Sequence, residues 1–324
     1  PSNRWSGTGI GNKNFGYICG GKTPSIISNI DRLDYSSDTT AVAPKGPLSA
    51  TRRYNTATSN NDFGYVAGTG SNSNTSLDRV DFSNDTATAS PKGPLATAAS
   101  YRTGTGSASF GYFAGGQNPS STVKSNIDRI DYSNDTATAL SKGPLSIAKN
   151  KAAGISSRES GLPILNPTIA APVQPPFPFP VQLPTPGPSF AYFAAGNLGP
   201  NWNAISSIDR IDYSNDTATA STKGALTAVK YTMSGCGTKD YGYIGAGGQQ
   251  PGPTFSSTDR IDYSNDTATA LARGKLNRAA RSTASASNTT YGYWAGGMTP
   301  YPTPTSKVSR LTFATDTGIQ VAKG

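Results

Sequence analysis

The chain of 324 residues contains no histidine, a single glutamate (Glu159) and two cysteines, Cys19 and Cys236. Without histidine, the usual acid–base group near neutral pH and the commonest metal ligand are both missing. Two thiols so far apart in sequence build neither a Cys-rich metal centre nor a disulfide framework. The expectation is therefore no cofactor, no metal site, no enzymatic activity and two free thiols. No apolar run approaches the length of about 18–20 residues that crosses a bilayer, so membrane insertion is not expected. Charge is sparse too, at 15% of residues with a net value of +9. The basic residues recur at equivalent places in a repeat and do not gather into a basic run, which argues against nucleic acid as a partner.

What the chain does have is internal repetition. Arginine returns in one context at Arg32, Arg79, Arg129, Arg210, Arg260 and Arg310, with spacings of 47, 50, 81, 50 and 50 residues. Each copy is a variation on an aromatic-Gly-Tyr segment ending in small residues, then Ile-Asp-Arg-Ile-Asp-Tyr, then Ser-Asn-Asp-Thr-Ala-Thr, then Lys-Gly-Pro-Leu. The sixth copy is the most worn, reading Val308-Ser309-Arg310-Leu311-Thr312-Phe313. Ile127, Arg129 and Asp131 alternate with Asp128, Ile130 and Tyr132, a two-residue period that specifies strands. Ser133-Asn134-Asp135-Thr136 and Lys142-Gly143-Pro144 punctuate them as turns. About four short strands per unit of roughly 50 residues is the size of a propeller blade.

The run from small-residue strand through aromatic-Gly-Tyr-x-x-Gly-Gly to Asp-Arg-Ile-Asp-Tyr-Ser-Asn-Asp-Thr resembles the kelch repeat. The Trp that kelch repeats carry after that turn is Ala here, at Ala87, Ala137, Ala218 and Ala268. The wording Phe-Gly-Tyr-Phe-Ala-Gly-Gly with Lys-Gly-Pro-Leu also resembles repeats in structural or virion proteins of cyanophages and aquatic metagenomes. The resemblance implies an all-β, six-bladed propeller of four-stranded blades at about 1–47, 48–94, 95–144, 145–225, 226–275 and 276–324. The two chain ends fall next to each other in repeat register, so six intact blades with no strand exchanged at closure are expected. A processed or partial chain is expected from its start at Pro1.

The long spacing locates a proline-rich insertion, residues 157–189, in the fourth blade. It holds ten prolines. Proline fixes φ and removes backbone donors, so this segment should be extended, much of it polyproline II. It can fold back on its own propeller, serve as a spacer, or dock on a neighbour. The last is the leading expectation, because a stiff apolar segment loses little entropy on binding. The residues assigned to that intersubunit arm are Leu162, Pro163, Ile164, Leu165, Pro175, Pro176, Phe177, Pro178, Phe179, Pro180, Val181 and Leu183.

The Asp-x-Ser-x-Asp runs that end in Asp38, Asp85, Asp135, Asp216 and Asp266, with Asp316 at the same place in the sixth copy, could be read as calcium loops, but they lack the glycine and the distal bidentate Glu of such loops. Structural turns are the stronger reading, with the six arginines pairing to aspartates within or between blades. Six near-identical copies also argue against catalysis, which needs one asymmetric constellation. The leading expectation is a non-enzymatic structural protein of an extracellular fibre or virion appendage, a homo-oligomer or neighbour-contacting subunit at an extracellular or virion surface. The alternative is a glycan-binding propeller, with Trp202, Trp294 and Tyr301 as exposed stacking residues for a surface glycan.

Overall fold

The computed structural model describes residues 3–68, 73–157, 189–199 and 203–323. These residues form six four-stranded antiparallel sheets, each built from four consecutive strands in simple sequence order. The sheets stand in a ring as the blades of a six-bladed β-propeller. The first strand of blade one is Thr8–Gly11 and the last strand of blade six is Val321–Lys323. Every blade is thus complete within its own stretch of chain, and no strand crosses between the termini.

The strand period explains the register. In blade three Phe110–Ala114 pairs with Ile127–Asp131 so that Tyr112 faces Arg129 across the ladder. Tyr17 faces Arg32 and Tyr293 faces Arg310 in the same way. Both faces of each blade are covered by neighbours, so the core is six layers between blades. Ile10, Tyr17, Cys19, Val66 and Val80 fill the layer between blades one and two. Leu33, Tyr35, Tyr293 and Val308 fill the layer that closes the ring between six and one. Burying each such side chain contributes about 1.5–3 kcal/mol, so no blade is stable without its neighbours.

Two glycine positions set how closely blades approach. On the inner strands, a Cβ at Gly154 would run into the Gly104 carbonyl. At the blade rim, a Cβ at Gly143 would run into the Ala218 carbonyl, which is why Lys-Gly ends the repeat. After the third strand of blades two, three, five and six the chain makes a single 3-10 turn, as at Tyr132–Asn134, where Asp131 accepts from the Ser133 backbone N–H. Among the described residues no helix is long and apolar enough to cross a membrane.

The insertion sits at a hairpin tip. Between the first and second strands of the other five blades the tip carries one residue at its centre (Lys13, Asn61, Ala108, Lys239 or Thr289), where blade four has residues 158–188. Those residues, including all twelve assigned to the arm from Leu162 to Leu183, lie outside the described residues. The neck is unaltered. Ser157 Oγ accepts from Phe190 N at 2.9 Å, as Asn12 Oδ1 does from Phe15 N at 2.9 Å and Ser107 Oγ from Phe110 N at 3.1 Å.

Candidate functional site

Three rings of polar residues run around the propeller, and they differ in how uniform they are. The outermost joins blade to blade. Asp85 of blade two accepts from Tyr17 Oη at 3.0 Å and Arg32 Nη1 at 2.7 Å with one oxygen, and pairs with Lys45 Nζ at 3.1 Å through the other. All three donors belong to blade one. The same clamp joins Arg79 to Asp135, Arg129 to Asp216, Arg210 to Asp266 and Arg260 to Asp316 at 2.7–2.8 Å. Arg310 closes the ring on Asp38 at 2.7 Å, with Tyr293 and Lys323 as its companions. In the fifth clamp Arg273 takes the place of the lysine.

Stacking holds the clamp in place. Tyr17 lies parallel to Phe82 of the next blade with centroids 4.9 Å apart, and the Arg32 guanidinium lies 4.2 Å from the Phe15 ring. Burial works against ionisation of Asp38 and Asp85, yet their Lys, Arg and Tyr donors outweigh it and hold both carboxyls below the usual range. Burial, reinforced by the neighbouring carboxylate, pushes the Tyr17 phenol well up, so it stays a donor. Pairing is therefore between blades. Asp34 and Asp38 also serve separate tasks, because Asp34 accepts from the Ser36 N–H and hydroxyl at 2.9 and 2.7 Å. Those hydrogen bonds hold Asp34 below its ordinary value. Among the described residues no three His, Cys, Asp or Glu side chains gather into a metal site.

A second ring, absent from the expectations above, lies inside the blades. Arg4 pairs with Asp31, and Arg52 with Asp78 at 2.8 Å. Arg102–Asp128, Lys149–Asp209 and Lys230–Asp259 follow at 2.7, 3.1 and 2.7 Å, all buried. The cation usually stands four residues after the Leu of Gly-Pro-Leu; blade three has Ala99 there and supplies Arg102 from further along. Blade six has lost both partners, with Ala280 and Ser309 in their places. Arg278 instead donates to Ser309 Oγ at 3.0 Å and to the Gly296 and Lys307 carbonyls.

The third ring lines the central channel. Ser6, Tyr54, Tyr101, Lys151, Thr232 and Ser282 precede the six inner strands and surround a cavity of about 150 Å³ at one channel mouth. Gly9, Ala57, Gly104, Gly154, Gly235 and Ser285 form the narrow waist below it, and a smaller cavity of about 90 Å³ lies on the far side. All six mouth residues have φ between 52° and 58°. Their backbones form a belt from blade to blade: Tyr54 N donates to Ser6 O, Lys151 N to Tyr101 O, Thr232 N to Lys151 O, Ser282 N to Thr232 O and Ser6 N to Ser282 O.

The side chains on this belt vary. Tyr54 and Tyr101 have ring centroids 4.2 Å apart, and Lys151 Nζ lies 4.6 Å from the Tyr101 ring and 5.7 Å from Tyr231. Burial lowers Lys151 to about 8. Arg53 lies 4.8 Å from the Tyr54 ring, and Trp5 meets Tyr54 edge-on at 5.7 Å.

The aromatic residues named for glycan stacking fare differently. Trp294 is 0% exposed, which corrects its assignment as a surface residue. It faces blade five beside Cys236 and Tyr243, with its Nε1 donating to Ser234 O at 3.1 Å. Tyr301 is exposed beneath Arg281, 4.9 Å from its ring centroid. Trp202 lies outside the described residues. Cys19 and Cys236 are buried free thiols on blades one and five, pushed up by burial.

No family model and no curated protein matches the chain. Among solved structures, the one titled "Structure of YjhT" is similar in fold, with a TM-score of 0.74 over 100% of this chain and 98% of that one, at 10% identity. At that identity the likeness speaks for the six-bladed fold alone.

Proposed function

We propose that this propeller is a non-enzymatic structural module of an extracellular fibre or virion appendage, and that its proline-rich insertion contacts a neighbouring subunit. One observation carries the reading. Residues 158–188 replace a single residue at a hairpin tip whose closing hydrogen bonds are intact, so the propeller does not need them to fold. A long apolar segment inserted at a hairpin tip is of the kind retained for a contact outside the blade. The kelch-like repeat wording and its likeness to virion proteins support the same class. So does the use of nearly identical charged groups in every clamp, which commits them to rigidity.

The test replaces residues 158–188 by one alanine, reproducing the tip of blade three, and compares both proteins by electron microscopy. Rings or filaments from the parent and single propellers from the variant support the proposal. Monomers from both, or the same assembly from both, overturn it. The glycan-binding alternative loses Trp294 as a contact; the observation that favours it is the varied channel mouth.

A further inference from the structure

We propose that the partner of this propeller is a second copy of the same chain, stacked head to tail so that the basic face of one molecule lies on the acidic face of the next. The inference rests on the assembly reading above and adds which surfaces meet.

The sign of the charge on each face is the first observation. One face is formed by the loops after the second strands and between blades, the other by the hairpin tips and the turns after the third strands. On the first, Lys275 and Lys307 are exposed and Lys22 and Lys124 half-buried, while Arg278 and Arg281 donate to hydroxyls and carbonyls and not to a carboxylate. The acids at that end are Asp31, Asp78, Asp128, Asp209 and Asp259, each buried against its own cation. Among the described residues this face therefore carries surplus positive charge, even without Arg53 and Lys151, which are held against tyrosine rings.

The opposite face has the reverse sign. Asp34, Asp81, Asp131, Asp212 and Asp262 end the third strands, and Asp62 and Asp240 stand at hairpin tips, with Lys13 and Lys239 as the cations among them. Serine hydrogen bonds hold Asp34, Asp81, Asp131 and Asp262 below the ordinary carboxyl value, so they stay ionised at neutral pH. The clamps recur in every blade and favour neither face. Two copies meeting by like faces set like charges together, whereas unlike faces attract. Such a contact is heterologous, and repeated without closing it grows into an open row.

The distribution around the ring is the second observation. Lys275, Arg278, Arg281, Lys307 and Lys22 gather over blades five, six and one. On the acidic face, blades two, three and four carry Asp62, Asp81, Asp131 and Asp212, while Lys13 and Lys239 offset the aspartates of blades one and five. Best complementarity thus turns each copy so that blades five, six and one lie against blades two, three and four of its neighbour. The neck of the insertion, where Ser157 Oγ accepts from Phe190 N, opens on this acidic face, at the surface that the next copy covers.

Sedimentation velocity and electron microscopy of the full chain test the stacking, with thermal melting to confirm that each variant is folded. The parent should assemble at low ionic strength and weaken about tenfold or more as salt is raised to about 0.5 M, where surface charges are screened. Lys275→Glu with Lys307→Glu spoils only the basic face, and Asp62→Lys with Asp131→Lys only the acidic one. Each double variant alone should stay a single propeller. Mixed in equal amounts they should form a pair and stop there, because one intact basic face meets one intact acidic face. Assembly that ignores salt, a folded double variant that assembles like the parent, or a mixture without pairs overturns the proposal. A parent that is monomeric at low salt also overturns it, and retention of that monomer on heparin would assign the basic face to an acidic polysaccharide. The protein lacking residues 158–188 separates the two readings: salt-sensitive stacking that survives the deletion supports this proposal and removes the arm, and salt-insensitive assembly that the deletion abolishes does the reverse.

Discussion

The clamp between blades and the left-handed residue at the channel mouth each recur in all six blades, yet one is uniform and the other is not. Every clamp is Tyr, Arg and a second basic residue from one blade closing on Asp of the next. Every belt position shares a backbone conformation but not a side chain. Uniform chemistry at equivalent positions serves architecture, because each interface must solve the same packing problem. Varied chemistry on an identical backbone has no such explanation in the fold, so it marks where the ring stops acting as a repeat.

The comparison predicts a large penalty for breaking a clamp. Asp216→Ala leaves Arg129, Lys142 and Tyr112 facing a buried gap without an acceptor. Losing one partner of such a pair costs about 3–5 kcal/mol, since the remaining charges stay desolvated. Urea denaturation of parent and variant measures it. A cost below about 1 kcal/mol would mean that the clamp is ornamental and that stacking such as Tyr112 on Tyr213 does the joining. The separate ring inside the blades shows a different replacement in blade six, where Ala280 and Ser309 stand in place of cation and anion and Arg278 donates to Ser309 and two carbonyls.

The clamp was legible in part. Arg and Asp recur with the blade period, so both stand out in the sequence, but a spacing along the chain does not say whether Arg32 reaches Asp34, Asp38 or the next blade's Asp85. The tyrosine of aromatic-Gly-Tyr and the lysine of Lys-Gly carry the same periodic signal and complete the set. The buried ring was hidden because its cation shifts to Arg102 in blade three and vanishes in blade six. Trp294 misled because alternation along a strand implies one wet face only when a sheet has one, and a blade has neighbours on both. The mouth left no signature, since a left-handed residue that is not glycine looks ordinary in sequence.

Acid should separate the two rings next, with a smaller effect per site. The carboxyls of Asp38 and Asp85 sit below their unfolded value near 3.9 because Lys, Arg and Tyr donors favour the ionised form. Their contribution to stability is therefore fully present above about pH 4 and is lost as pH falls through the lower folded values. Thermal melting between pH 7 and 2.5 should give a midpoint that is flat down to about pH 4.5 and then falls. The belt holds no carboxylate and contributes nothing to that fall. A decline beginning near pH 6 would show that the clamp aspartates are not held ionised.

The smallest effect has the opposite sign. Ser282 has φ of 58° and keeps its place in the belt through its backbone N–H and carbonyl. Ser282→Gly removes left-handed strain of about 1–2 kcal/mol and adds about 0.5–1 kcal/mol of unfolded-chain entropy. The net result is a protein more stable by about 0.5–1 kcal/mol, readable as a small rise in the denaturation midpoint. A variant that loses stability instead would show that the serine side chain, and not its backbone alone, holds the belt.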